Sequence, residues 1–196
     1  MKIRVNKVLG EINLIEGKRR YLFIDPSFSS TGIAVTQGRN LLGYINIVPD
    51  SKDQSVEKYR AELRRWIYKS FKDFGLTNIV HEEMFSQERI AARKLYYMES
   101  IYYDLGEALP GEVTVESIDS EWKQYLAYPE SIYGDSKEQK KQIRRYVDHK
   151  YKDLDLTSEL VNRKTKPIQD LYDVLGIKIG YFRKKYDNLK KDSGKK

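Results

Sequence analysis

The sequence predicts an α/β domain with a mixed sheet, formed by a three-strand antiparallel meander plus parallel strands and flanked by helices. The meander is predicted by three short apolar runs between residues 20 and 48, which are separated only by turn-forming residues. The parallel strands are predicted by the alternation of helical and β-branched segments that follows, which is typical of crossover connections. The 196 residues suffice for one domain with a sizeable buried core.

The three strands of the meander are expected at residues 21–24, 32–35 and 41–48, with Pro, Ser, Gly and Asn between them. Residues 1–19, which precede them, are predicted to be an N-terminal extension. The extension is compatible with extra strands or with a mobile arm, and both interpretations stay open.

The middle of the chain alternates helices with strands. Apolar residues recur at helical spacing over residues 56–74, and the β-branched run at 78–82 predicts a buried strand. A second helix is expected over residues 87–109, where Pro110 stops the apolar stripe. Residues 113–115 then predict the next strand.

The last third of the chain is expected to be mainly helical. Three helices are predicted there, at residues 120–127, 137–151 and 168–186. The polar stretch at 152–167 predicts a loop, and the basic residues 188–196 predict a flexible tail.

Composition limits the chemistry that the chain can perform. It contains no cysteine, which excludes disulfides, thiolate nucleophiles and sulfur-ligated zinc. With two histidines in all, a histidine metal cage or a Ser-His-Asp triad is hard to build. Any catalysis must therefore rest on carboxylates, lysines and hydroxyls.

Charge and hydropathy indicate the partners. The net charge of +7 favours a polyanion such as nucleic acid. No apolar run approaches the roughly 18 residues of a membrane span, and the first residues lack a secretory signal. We therefore expect no membrane partner, and a cytoplasmic location in a bacterium or a phage-infected host cell.

Carboxylates stand where two predicted strands end and where the final helix begins. Asp25 ends the first strand of the meander, and Glu82, with Glu83 beside it, ends the fourth predicted strand. Asp170 and Asp173 lie three residues apart and so share one face of the final helix. Adjacent strand ends, with a helix packed across them, would bring these acids together.

Each acid also has a simpler explanation. Asp25 could cap a turn, the glutamates could be solvated at a strand end, and the helix dipole could favour the two later aspartates. The combination favours a metal site, because clustered carboxylates repel one another unless a cation lies between them. Carboxylate oxygens suit Mg²⁺ or Mn²⁺.

Three segments resemble the RuvC-type Holliday junction resolvases of the RNase H-like superfamily. The family's opening motif resembles FIDPSFSSTGIAV at residues 23–35. Its second motif, in which a strand delivers a glutamate, is similar to VHEEMF at residues 80–85. Its terminal D-x-x-D-A-L-A-I helix resembles DLYDVLGI at residues 170–177.

The resemblance implies an RNase H-like nuclease domain over residues 20–187. It implies that Asp25, Glu82, Asp170 and Asp173 are catalytic metal ligands. Two Mg²⁺ or Mn²⁺ ions would support phosphodiester hydrolysis that leaves 5′-phosphate and 3′-hydroxyl ends. Family members act on branched DNA as homodimers, so branched DNA and a second copy of this chain are the expected partners.

The resemblance also implies DNA contacts. Lys137 falls where the family places a catalytic-site lysine that contacts phosphate, and Phe85 matches an aromatic that stacks on bases at the junction centre. Other basic residues are expected to contact DNA phosphates around the site: Lys140, Lys141, Arg144, Arg145, Arg163, Lys164 and Lys166.

The sequence departs from the family pattern in two places. Ser27 replaces the usual glycine of the opening motif, and His81 replaces an apolar residue before Glu82. Glu83 is an alternative ligand if the register shifts by one residue. Asp119, just beyond the strand predicted near residue 115, is a further acid that could serve the site.

The predicted activity is structure-selective cutting of four-way (Holliday) junctions or other branched DNA. One alternative is an RNase H-like nuclease that acts on RNA, flaps or forks, and another is a non-catalytic nucleic-acid-binding module. The second predicted helix carries more large residues than one packing stripe needs. It therefore either exposes tyrosines to solvent or forms a twofold dimer interface.

Overall fold

The structure is a computed structural model. The predicted three-strand meander forms the central part of its sheet. The structure describes residues 2–9, 14–27, 30–50, 55–83, 89–108, 111, 113–126, 136–159 and 165–193. Strands β2 (Arg20–Asp25), β3 (Thr31–Gln37) and β4 (Asn40–Val48) pair antiparallel in chain order. The β3–β4 turn contains Gly38, whose φ of 53° lies in the left-handed region that glycine adopts without strain.

Three more strands complete a six-stranded mixed sheet. Strand β1 (Lys2–Val8) pairs antiparallel with β4, while β5 (Asn78–Glu82) and β6 (Thr114–Ile118) extend the sheet beyond β2 in parallel. The strand order is β1-β4-β3-β2-β5-β6. The predicted combination of a meander with parallel strands is confirmed.

The register of the parallel strands brings two acids side by side. Ile24 of β2 pairs with His81 of β5, so the next residue of each strand, Asp25 and Glu82, stands at the same edge of the sheet. Parallel strands place their carboxyl ends together. The candidate ligands at the ends of β2 and β5 are therefore neighbours, although 57 residues separate them in the chain.

Helices cover both faces of the sheet. They are α1 (Val56–Phe74), α2 (Arg89–Ala108), α3 (Ser136–Lys150) and α4 (Gln169–Ser193). The sheet has a hydrophobic core on each face. Leu22 and Ile24 of β2 lie in the core that packs against α1 and α2, whereas Tyr21 and Phe23 lie in the core that packs against α3 and α4. This alternation follows from the two-residue period of a strand.

The structure differs from the sequence-based expectations in local geometry. Residues Ser120–Tyr125 form a 3₁₀ turn, where an α-helix was expected. The expected loop contains a short antiparallel hairpin of β7 (Thr157–Glu159) and β8 (Thr165–Pro167). Helix α4 continues to Ser193, beyond the expected end near residue 186. Among the described helices, none is both long and apolar enough to cross a bilayer.

Glycines allow α4 to lie close to its neighbours. A Cβ at Gly32 of β3 would stand 2.1 Å from the backbone oxygen of Asp170, so only glycine lets the first turn of α4 approach the sheet this closely. Further along α4, Cβ atoms at Gly176 and Gly180 would each stand 2.6 Å from an atom of Trp122. The side chain of Trp122 is fully buried against this part of the helix. The close approach of α4 to β3 and its close approach to Trp122 together fix where the acids of α4 lie over the sheet.

Candidate active site

The four predicted acids share one electrostatic environment. Burial raises the pKa of Asp25 well above its ordinary value. The neighbouring acids raise it further, Asp173 most, followed by Glu82 and Asp170. The ends of β2 and β5, which are neighbouring strands, and the first turn of α4 therefore lie near enough for their charges to interact.

Asp173 shows the same environment from the helix side. Burial raises the pKa of Asp173 to about 6, and the charges of Glu82 and Asp170 act in the same direction. A hydrogen bond from Gln169 and the charge of Lys140 oppose the rise. Burial and repulsion therefore disfavour the ionised cluster when no cation is present.

The donor chemistry of this cluster fits a divalent cation. Clustered carboxylates in a partly buried pocket provide hard oxygen ligands, which Mg²⁺ and Mn²⁺ prefer, and a cation relieves their repulsion. Within the described part of the chain, however, no three acidic or histidine side chains stand close enough together to form a ready ligand set. The four acids are near enough for their charges to interact, but within the described residues they do not surround a common point.

Asp170 is held by polar side chains of the meander. The Ser30 hydroxyl donates to Asp170 Oδ2 at 2.5 Å, and Asn46 Nδ2 donates to Ser30 Oγ at 2.8 Å. Asn46 Nδ2 also lies 3.4 Å from Asp170 Oδ2. Asn46 is completely buried on β4, and its amide nitrogen is hydrogen-bonded, whereas its Oδ1 has no hydrogen-bond partner among the described residues. These contacts fix the carboxylate of Asp170.

Asp173 is held from a different direction. Gln169 Nε2 donates to Asp173 Oδ1 at 2.8 Å, and Arg144 Nε of α3 donates to Gln169 Oε1 at 2.7 Å. The first turn of α4 is thus connected to both β4 and α3. Sequence reasoning missed Ser30, Asn46 and Gln169, because their roles depend on contacts between segments far apart in the chain.

Lys123 is a further residue of the pocket that sequence reasoning missed. Its Nζ lies 3.7 Å from Glu82 Oε1, and its charge lowers the pKa of Asp25. Lys123 stands in the 3₁₀ turn directly after β6, so its backbone position near the carboxyl end of β5 follows from the parallel pairing of β5 and β6. The available signal was its place after the last parallel strand.

The structure distinguishes between the two adjacent glutamates of β5. The charge of Glu82 raises the pKa of both Asp25 and Asp173. Glu83 instead accepts a hydrogen bond from Ser117 Oγ at 3.0 Å. The charge of Glu83 raises the pKa of Glu99, a residue of α2. Glu82 is therefore the glutamate that faces the candidate site.

His81 and Asp119 lie outside the acid cluster. His81 is completely buried, with Nδ1 3.6 Å from Glu99 Oε1 and its ring tilted by 30° against the ring of Tyr102, 4.8 Å away between centroids. Burial lowers the pKa of His81, which favours the neutral imidazole. Asp119 forms an ion pair with Lys184 at 3.4 Å.

The predicted DNA-contacting residues fall into three groups. Lys140 lies near the acids, where its charge lowers the pKa of Asp173. Arg144 donates a hydrogen bond to Gln169. Three others are exposed on α3, namely Lys137, Lys141 and Arg145. The remaining predicted contacts are Phe85, Arg163 and Lys164, which lie outside the described residues, and Lys166, for which the structure describes the backbone of β8 alone.

Comparison with known proteins identifies the fold. No family model matches this sequence, and no curated protein matches it either. Among solved structures, Thermus thermophilus RuvC in complex with a Holliday junction substrate superposes with a TM-score of 0.59. That match covers 86% of this chain and 96% of the other, at 14% sequence identity. The chain has the RNase H-like fold.

Two further RNase H-like structures are similar over most of their length. The yeast mitochondrial Holliday junction resolvase Ydc2 gives a TM-score of 0.55 at 15% identity, covering 92% of this chain and 86% of that one. The fowlpox virus resolvase, solved with Holliday junction DNA, gives 0.53 at 9% identity, covering 84% and 97% respectively. At these identities the likeness establishes the RNase H-like fold alone. Strands β4-β3-β2-β5-β6 form the five-stranded RNase H-like sheet, and β1 adds a sixth strand beside β4.

Proposed function

We propose that this protein is a metal-dependent endonuclease that cuts branched DNA, with the four-way junction as its substrate. The observation that carries the proposal is the convergence of Asp25, Glu82, Asp170 and Asp173 at one edge of an RNase H-like sheet, where burial and the charges of the neighbouring acids raise the pKa of Asp25 and of Asp173. Buried acids that repel each other are costly for a structural role alone, and divalent cations would offset that cost.

The chain's own groups would divide the work as follows. The four carboxylates would hold two Mg²⁺ or Mn²⁺ ions, with Ser30 and Asn46 fixing Asp170. Bound ions would supply activation of water for in-line attack and stabilisation of the leaving 3′ oxygen, giving 5′-phosphate and 3′-hydroxyl ends. Lys123 and Lys140 place positive charge beside the acids, where a scissile phosphate would lie.

The chain would approach DNA with the basic surface next to this pocket. Lys137, Lys141 and Arg145 are exposed on α3, the helix that carries Lys140. Contacts of this kind bind the phosphate backbone and position the duplex without reading its sequence. Selectivity for a junction would then come from the shape of the branched substrate and from two copies of the chain acting together.

A homodimer would provide the two active sites that a four-way junction requires. Helix α2 exposes Tyr96 and Tyr103, which stand seven residues apart and therefore on the same helical face. Large aromatic side chains are enriched at protein interfaces. We propose that this face of α2 contributes to a twofold interface.

Cleavage of synthetic four-way junctions tests the proposed activity, with linear duplex, flap DNA and a DNA–RNA hybrid as alternative substrates. We expect Mg²⁺- or Mn²⁺-dependent cutting of the junction that stops when chelator is added. Asp25→Asn should reduce the rate by more than the roughly 10- to 100-fold that loss of an outer partner causes, because it removes a ligand itself. Binding of the junction in Ca²⁺ should persist.

The matched control is Asp119→Asn, which removes an acid that pairs with Lys184 outside the cluster. Its cleavage rate should equal that of the unmodified protein. Cutting that survives chelation, or Asp25→Asn protein that cuts at the normal rate, would contradict the metal site. Preference for the flap or the hybrid would keep the nuclease and replace the substrate.

A further inference from the structure

The first turn of α4 contains a polar relay that connects α3 to one of the candidate ligands. Arg144 Nε donates to Gln169 Oε1 at 2.7 Å, and Gln169 Nε2 donates to Asp173 Oδ1 at 2.8 Å. The Arg144 guanidinium also lies over the ring of Tyr172, 5.9 Å from its centroid. We call Arg144, Gln169 and Asp173 the α3–α4 relay.

The two ends of the α3–α4 relay, Arg144 and Asp173, fix the orientation of the Gln169 amide between them. Arginine offers N–H donors only, and an ionised carboxylate offers acceptors only. Gln169 must therefore turn its oxygen towards Arg144 and its NH₂ group towards Asp173. A glutamate at this position would present two acceptors and repel Asp173, and a leucine would present neither group.

Position along the helices explains why these residues meet. Gln169 begins α4 and stands four residues before Asp173, a separation at which side chains on one helix face touch. Arg144 is partly buried where α3 packs on α4, whereas Arg145 beside it is exposed. Charge and spacing alone predict both arginines as DNA contacts, but the structure directs Arg144 towards the acid cluster.

We propose that Arg144 and Gln169 are positioning residues that orient Asp173 for metal binding. The inference rests on the proposed metal site and adds to it a role for two residues outside the ligand set. With Oδ1 engaged by Gln169, the second carboxylate oxygen of Asp173 would remain to hold an ion. Outer partners of this kind orient ligating carboxylates, and their loss costs about 10- to 100-fold in metal affinity or activity.

Titration of the DNA-free protein with Mn²⁺, followed calorimetrically, measures the predicted effect without requiring cleavage. Gln169→Leu and Arg144→Met should each weaken Mn²⁺ binding by about 10-fold or more. The double variant should bind no more weakly than the worse single variant, because both changes break the same relay. Arg144→Lys, which keeps a cationic donor, should recover part of the affinity.

Arg145→Met is the matched control, since it removes the same charge from the adjacent position. Loss of a nearby cation should by itself leave Mn²⁺ binding unchanged or make it slightly tighter, because one repulsive charge disappears. Weaker Mn²⁺ binding in Arg144→Met therefore has the opposite sign to a general charge effect. Thermal unfolding in chelator checks that the variants fold, and Arg144→Met carries the test if Gln169→Leu is unstable.

Asp173→Asn separates failure of the relay from failure of the metal site. If Asp173→Asn binds Mn²⁺ normally, the proposed site itself is wrong. If Asp173→Asn binds weakly while Gln169→Leu and Arg144→Met bind normally, the site stands and the positioning role is overturned. Normal Mn²⁺ binding together with weakened junction binding in Ca²⁺ would make Arg144 a DNA contact instead.

Discussion

Single residues decide the charge state of the candidate site. Burial and the charges of neighbouring acids raise the pKa values of Asp25 and Asp173, while Ser30, Asn46 and Gln169 donate hydrogen bonds to the carboxylates of α4. Burial and mutual repulsion disfavour ionisation, and the hydrogen bonds favour it. The net rise for Asp173 shows that burial and repulsion are the larger effects here.

This balance predicts how the stability of the metal-free protein depends on pH. In the folded protein the pKa of Asp173 is about 6, against an ordinary value of 3.8, so between these values the native state binds more protons than the unfolded state. The contribution of Asp173 to the free energy of unfolding should therefore fall as pH rises through this window and level off above it, so the unmodified protein should lose stability relative to Asp173→Asn. Thermal unfolding between pH 4 and pH 7.5 in chelator measures the change.

Mg²⁺ should reverse the loss, because an ion that binds the ionised cluster stabilises the folded state. The rise in Tm on adding Mg²⁺ is expected to be larger at pH 7.5 than at pH 5. Asp173→Asn should show a flatter pH profile and a smaller rise with Mg²⁺. Identical pH profiles of the unmodified protein and Asp173→Asn in chelator would contradict the repulsive cluster.

At the scale of elements, helix α4 determines whether the site forms. It supplies two of the four acids, and its distance from the sheet and from the 3₁₀ turn depends on Gly32, Gly176 and Gly180. Glycine inside a helix ordinarily costs about 1 kcal/mol relative to alanine. The close approach of Trp122 explains why glycine occupies positions 176 and 180 despite that cost.

Gly176→Ala tests this packing. Its helix propensity alone would stabilise the protein, but a Cβ 2.6 Å from the Trp122 ring forces the helix or the ring to move. We expect a net destabilisation of about 1–3 kcal/mol, measured by denaturant unfolding. In the background of Trp122→Leu, which removes the ring, the same Gly176→Ala change should no longer destabilise. A stabilising effect in the unmodified background would show that the ring yields freely.

The elements that carry the acids could be predicted from the sequence because each depends on local patterns. Apolar periodicity and turn residues indicated β2, β3, β4, β5 and the four long helices, and carboxylates at the ends of these elements suggested the candidate site. Ser30 and Asn46 could not be identified in this way, since they reach Asp170 across 140 and 124 residues of chain. The β7–β8 hairpin was missed because three-residue polar strands carry no clear periodicity.

For the whole molecule, the expected substrate requires more than one active site. Tyr96 and Tyr103 are 75% and 50% exposed on α2, and they share the helical face that is proposed to contact a second copy of the chain. A neighbouring tyrosine of the same helix, Tyr97, instead lies 4.4 Å from the guanidinium of Arg60 on α1. The ring of Tyr103 also meets the His81 ring edge-on at 6.0 Å between centroids, and its exposed side is proposed, with Tyr96, to contact a partner.

Replacing both with arginine tests the proposed dimer. We expect Tyr96→Arg/Tyr103→Arg protein to sediment as a monomer at concentrations where the unmodified chain is dimeric, and to lose paired cutting of opposite junction strands. Tyr68→Arg, at a 42% exposed position of α1, is the control and should leave the dimer intact. An unmodified chain that sediments as a monomer at every concentration, alone and with junction DNA, would contradict the proposed interface.

The place of α4 in the chain order has a consequence for the living cell. Two of the four acids come from the first 82 residues and the other two from the helix that begins at residue 169, so a partly synthesised chain holds half of the pocket. If this pocket hydrolyses DNA, then ribosome-bound or truncated fragments lacking α4 carry no hazard to the genome. Nuclease activity would appear only after α4 has been synthesised and has packed on the sheet.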